Sequence, residues 1–146
     1  MLLREAEVRY RTTKHPVLSD RTVRSSGDVE AMVREAGWYD GVPQERFIII
    51  ALDGKHRYVA HEVISVGTVD AALVHPRDAF RLAVLVNASA IIAVHNHPTG
   101  DPTPSAEDRA VTRRLVKAGE IMGIELLDSI MVGDDSIASL RDLGEV

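Results

Sequence analysis

Apolar residues change their spacing several times along the chain, and each change marks an element. Residues 6–12 alternate weakly, with Val8 and Tyr10 on one side and Glu7, Arg9 and Arg11 on the other. That period suits an edge strand, where charges discourage unwanted pairing. Residues 13–25 read as a connector. Ser26 or Asp28 can cap a short helix through Ala36, and Gly37 ends it. Phe47-Ile48-Ile49-Ile50-Ala51-Leu52 is continuous apolar sequence, which predicts a strand buried on both faces. Asp53-Gly54 predicts a two-residue hairpin turn, because both residues tolerate the positive φ of a type I′ turn. The return strand covers about 56–66. One of its faces carries Tyr58, Ala60, Glu62, Ile64 and Val66, and Gly67 stops it.

His75-Pro76 opens a helix over about 77–88, with proline in its first turn. This segment is apolar almost all round, which predicts deep packing. Ala90-Ile91-Ile92-Ala93-Val94 is a short buried strand. A loop with three prolines and a glycine follows. Ser105 then starts a helix to about Met122, with an apolar stripe of Val111, Leu115, Ala118 and Met122. Strands near 124–132 and 136–140, joined by a turn at Gly133-Asp134-Asp135, complete the pattern. Helices interleaved with strands imply an α/β domain with a mixed sheet and helices on its faces. Residues 1–25 read as a basic N-terminal strand and connector, and 26–146 as a single domain.

Composition narrows the function classes. The chain has 146 residues and no cysteine, which excludes a disulfide framework, a cysteine nucleophile and a thiolate-built zinc site. Residues 1–25 hold six Lys/Arg against three Asp/Glu, whereas the remainder holds 11 against 19. An acidic body is a poor footprint for a DNA binder. Only Leu2 and Leu3 precede charged Arg4, so no secretory leader is expected. No apolar run approaches the ~20 residues of a membrane span. These features predict a soluble, cytoplasmic protein.

The chemistry concentrates in Val94-His95-Asn96-His97-Pro98 and Ser105-Ala106-Glu107-Asp108. In extended backbone, residues two apart point the same way, so His95 and His97 converge at the end of a buried strand. Asp108 lies three positions before Val111 and seven before Leu115, so it shares their inward-facing stripe. Two imidazoles and a carboxylate form a common catalytic zinc set, and they also suit non-haem iron. Ser105-x-x-Asp108 alone reads as a helix cap. The paired histidines turn the balance towards a metal, since burying two unpartnered imidazoles costs of order 1–3 kcal/mol each. Glu62 stands on an otherwise apolar strand face. It is either a solvated edge position or a base for a metal-activated water. His61-Glu62-Val63-Ile64-Ser65 is not the helical His-Glu-x-x-His motif, because Ser65 replaces the second histidine.

His95-x-His97, seven residues, Ser105, two residues and Asp108 resemble the JAMM motif of the JAB/MPN metalloproteases. Glu62-Val63 through Gly67-Thr68, Val74-His75-Pro76-Arg77, the run Ala93 to Ser105, Leu127-Asp128 and Met131-Val132-Gly133 together resemble the RadC branch. The likeness spans about 40 to 141 and matches the short, domain-only members, since longer RadC proteins add a helix-hairpin-helix region. It implies a cytidine-deaminase-like three-layer α-β-α fold and Zn2+ held by His95, His97 and Asp108. It implies further that Glu62 acts as general acid/base and that Ser105 stabilises the oxyanion. Asn96 falls at the motif's variable position. The short loops carry no sign of ubiquitin recognition.

The leading expectation is therefore a zinc-dependent hydrolase, metallopeptidase- or isopeptidase-like, acting on an amide bond of an unknown peptide or isopeptide substrate. A nuclease-like or DNA-repair-associated metalloprotein, with the basic N-terminus as a phosphate-binding arm, is the first alternative. A non-catalytic MPN scaffold is the second. No strong DNA binding and no membrane association are expected, and the sequence leaves the oligomeric state open.

Overall fold

A computed structural model describes residues 4–9, 11, 14–67 and 74–146. Helix α1 (Ser26–Ala36) is followed by strands β1 (Arg46–Leu52) and β2 (Tyr58–Val66), helix α2 (Pro76–Leu85), strand β3 (Ala90–Asn96), helix α3 (Ala106–Met122) and strands β4 (Glu125–Val132) and β5 (Ile137–Ser139). The strands form one sheet in the order β2-β1-β3-β4-β5. β3 and β4 are parallel and the other neighbours antiparallel, so the sheet is mixed.

The sheet is the middle of three layers. Phe47, Ile49, Ile91 and Ala93 point to one face and pack under α2 and α3, against Phe80, Val111 and Leu115. Ile50, Leu52, Ile92 and Val94 point to the other and pack under α1, against Val29, Met32 and Val33. The period of two thus divides an unbroken apolar run between two cores. Among the described residues no helix is long and apolar enough to cross a membrane.

Several expectations need correction. Residues 4–9 and 11 form no strand, and 10 and 12 lie outside the described residues. Charges on every second position favour solvent over pairing. The following segment is less detached than a connector: Leu18 and Val23 are buried in the α1-side core, and Thr22 bridges to Arg57. The cap of α1 is Ser25. Its hydroxyl accepts from the Asp28 N–H, while the Asp28 side chain accepts from the Ser25 N–H. Gly37 ends the helix in the left-handed region at φ 69°, as expected of a glycine C-cap.

The hairpin turn is longer than Asp53-Gly54. The His56 N–H donates to the Asp53 carbonyl, and the left-handed residue is His56, not Gly54. The Asp53 carboxylate closes the loop by accepting from the N–H groups of Lys55 and Arg57. A register shift after Ala51 then places Tyr58 opposite Leu52, on the α1 face. Tyr58 therefore does not share the face of Glu62. Helix α2 buries only Ala79, Phe80 and Ala83, while Val84 and Leu85 are about half exposed.

Candidate metal centre

β3 extends through Asn96, so His95 lies within the strand and His97 just beyond it. Alternation puts both imidazoles on the α3 side, with their Nε2 atoms 3.1 Å apart. Helix α3 begins with a reciprocal cap. The Ser105 hydroxyl accepts from the Asp108 N–H at 3.1 Å, and the Ser105 N–H donates to Asp108 Oδ2 at 2.7 Å. This cap turns the Asp108 carboxylate towards the histidines. Oδ1 lies 2.9 Å from His95 Nε2, and Oδ2 lies 3.1 Å from His97 Nε2. Asp108 and His95 are buried, and the His97 side chain is 12% exposed.

Surrounding groups hold this arrangement. The Phe47 ring stacks on His95, with centroids 5.4 Å apart. The Thr112 hydroxyl donates to the Asp108 carbonyl at 2.8 Å and contacts Ser129 Oγ at the same distance. The Asn96 amide faces the other way. Its oxygen accepts from the Arg46 N–H and its nitrogen donates to the Gln44 carbonyl, which ties the loop before β1 to β3.

Burial pushes the Asp108 carboxyl up, but hydrogen bonds from His95, His97 and the Ser105 N–H outweigh this and hold it well below the usual carboxylate range. The Asp108 carboxylate in turn raises His97 above the ordinary imidazole value, against partial burial. Asp108 is therefore an ionised acceptor beside two imidazole nitrogens.

The donor set fits a divalent cation. One ligand atom from each of His95, His97 and Asp108 falls within a mutual distance of 4.8 Å. Two imidazole nitrogens this close repel each other unless a proton or a cation lies between them. His97 Nδ1 sits 2.8 Å from the Asp101 carbonyl oxygen. A carbonyl only accepts, so the Nδ1 carries a hydrogen, and Nε2 is the nitrogen turned to the cluster, where a proton shared with Asp108 would give way to a cation. His95 Nδ1 is buried without a hydrogen-bond partner among the described residues.

Glu62 sits elsewhere on the same sheet face. It pairs with Ile49 on β1, which pairs with Ala93 on β3, two residues before His95. Two strand spacings, about 10 Å, separate it from the histidine strand. Its carboxylate is held by Arg81 of α2. Ser105 is seen here as a helix cap, its hydroxyl oxygen engaged with the Asp108 N–H. The roles of Arg81, the Phe47 stack and the Asp101 carbonyl emerge only in the folded structure. Only the last had a local signal: Asp101-x-Thr103 is an Asx-turn pattern, and the Asp101 carboxylate accepts from both the N–H and the hydroxyl of Thr103.

The RadC-like JAB domain model matches residues 23–145. The chain belongs to that family. The mixed sheet between helical layers agrees with the JAB/MPN fold. The UPF0758 protein of Desulforamulus reducens is 41% identical over 138 residues, covering 94% of this chain and 60% of the relative. That of Alkaliphilus metalliredigens is 46% identical over 120 residues, 82% of this chain and 51% of the relative. That of Pelobacter propionicus is 52% identical over 101 residues, 69% and 44% respectively. This RadC-like chain thus spans about half the length of the curated relatives it matches. The name UPF0758 states no activity. Family membership and the His-His-Asp group are compatible with a metal-dependent hydrolase.

Proposed function

We propose that this RadC-like domain is a zinc-dependent hydrolase of amide or isopeptide bonds. The observation that carries the reading is the convergence of the His95, His97 and Asp108 ligand atoms on one buried point. Those three residues would hold the ion. Zinc supplies Lewis acidity, which polarises a scissile carbonyl and lowers the pKa of water towards ~7.

The protein's own groups do the rest. Glu62 would take a proton from the attacking water on its carboxylate and deliver it to the amine as the C–N bond breaks. Arg81 pairs with that carboxylate and restrains it. Ser105 donates its hydroxyl hydrogen to the tetrahedral oxyanion while its oxygen still accepts from the Asp108 N–H, a contact type worth ~3–4 kcal/mol in other enzymes. Phe47 and the α3 stripe keep water away from the back of His95, which strengthens the electrostatics of the site. We place the protein in the cytoplasm and expect a peptide or isopeptide partner rather than nucleic acid.

The test is a peptide and isopeptide library exposed to protein purified without added metal, with and without a chelator. Cleavage that is lost on chelation and restored by zinc supports the reading. Metal-independent cleavage, or hydrolysis of nucleic acid alone, overturns it.

A further inference from the structure

The loop that follows the histidines is bolted to the β4–β5 turn. The His97 N–H donates to the Val132 carbonyl at 2.9 Å, and the Asp134 N–H donates to the Gly100 carbonyl at 3.0 Å. Between these bonds, Gly133 lies flat against the loop. A Cβ built there would land on the Gly100 carbonyl oxygen and 2.7 Å from Pro102 Cδ. Both are fixed backbone or ring atoms, so the loop would have to move. Gly100 itself is left-handed at φ 88° and turns the chain so that the Asp101 carbonyl reaches His97 Nδ1.

The far side of the turn is also held. Arg34 of α1 donates to the carbonyls of Asp134 and Gly133 at 3.1 and 3.3 Å. Its Nε donates to Glu30 at 3.0 Å, one turn back on the same helix. A cleft of about 360 Å³ is lined by this support, by the loop at 40–43 and by His97 and Pro98. Neither His95 nor Asp108 lines it. The support therefore borders His97 and neither of the other two candidate ligands.

We propose that Gly133 and Arg34 are positioning residues for His97. They seat the 97–102 loop so that the Asp101 carbonyl fixes both the ring orientation and the Nδ1–H tautomer, leaving Nε2 to bind a metal. The metal part of this inference rests on the proposed zinc site. Hydrogen-bond partners behind a ligating histidine typically contribute 10–100-fold to metal affinity.

The test compares wild type, Gly133→Ala and Arg34→Gln by zinc titration against a chelating dye and by long-range 1H–15N spectra of the imidazoles in the metal-free protein. Val29→Ala is a control for general destabilisation, since Val29 is a buried core residue of α1 that does not line the cleft beside His97. Gly133→Ala is expected to weaken zinc binding about tenfold or more, and Arg34→Gln several-fold. Both should lower the protonation of His97 Nδ1, which the Asp101 carbonyl enforces, in favour of rings protonated at Nε2 alone. Val29→Ala should leave affinity and tautomer as in wild type. Wild-type affinity and an unchanged His97 signal in either folded variant would overturn the proposal, as would an equal loss in Val29→Ala. Arg34→Gln adds no bulk to the turn, so the question stays decidable if Gly133→Ala does not fold. The spectra need no metal. A wild type that binds no zinc therefore refutes the metal reading, while the relay is still judged on the tautomer.

Discussion

Arg81, on α2, closes an ion pair with Glu62, on the edge strand β2, across the same sheet face that carries His95. Each partner sits on a different element, and neither has a reason in its own segment to select the other. Glu62→Gln is expected to keep the fold and the metal while hydrolysis falls by ~10²–10⁴, the usual contribution of a general base. Arg81→Ala is expected to lower kcat more modestly, with metal content unchanged, because the base remains but is less restrained. Steady-state kinetics beside elemental analysis decides both. Turnover equal to wild type in Glu62→Gln would assign the base to another residue.

Metal content should follow the three ligands. About one zinc per chain is expected, and His95→Ala, His97→Ala and Asp108→Ala should each lose it, because a site with three protein ligands has none to spare. Elemental analysis of protein purified without added metal measures this. Iron in place of zinc, or full zinc retention in His97→Ala, would contradict it.

Asp128 gives a pH prediction away from the site. Its carboxylate accepts from the Ser139 hydroxyl at 2.6 Å and from the N–H groups of Ser129 and Arg141, clamping the chain after β5 onto β4. Burial nevertheless pushes its pKa up, against those hydrogen bonds. A folded-state pKa above the unfolded one means that the native state binds the extra proton. The stabilisation is therefore fully present below the ordinary value of about 4 and is lost as pH rises through the raised native value. Asp128→Asn, which does not titrate, should cost most stability at the acid end and progressively less towards neutrality. Asp128→Ala should cost about 3 kcal/mol by leaving buried donors unsatisfied. Urea unfolding from pH 4 to 8 reads both; an Asn variant whose deficit grows with pH would reverse the sign.

Nonspecific DNA affinity should be weak. Residues 26–146 hold 11 Lys/Arg against 19 Asp/Glu. Of the basic N-terminal residues, Arg9 pairs with Glu7 and Arg21 with Glu35. Such binding is chiefly electrostatic, so no sub-micromolar duplex affinity is expected near 150 mM salt. Fluorescence anisotropy over a salt series would reveal the contrary as tight binding that weakens steeply.

What the sequence determined by itself was whatever depends on periodicity within one element. Period two placed His95 and His97 on one side of β3 and divided the β1 run between two cores. The helical repeat placed Asp108 on the stripe of Val111 and Leu115, and Ser105 and Gly37 marked helix ends through their own local hydrogen bonding and φ. Tertiary structure decided whatever depends on two elements meeting. The register shift after Ala51 moved Tyr58 to the α1 face, because a bulge adds one residue and inverts the alternation. His56 took the left-handed position because the Asp53 carboxylate closed a longer loop. Half of α2 stayed exposed because one helix presents only one face to a sheet. Arg81 on Glu62, Phe47 on His95, and Gly133 against Gly100 join residues from separate segments. Such pairings follow from packing geometry and register, which no single stretch of sequence encodes.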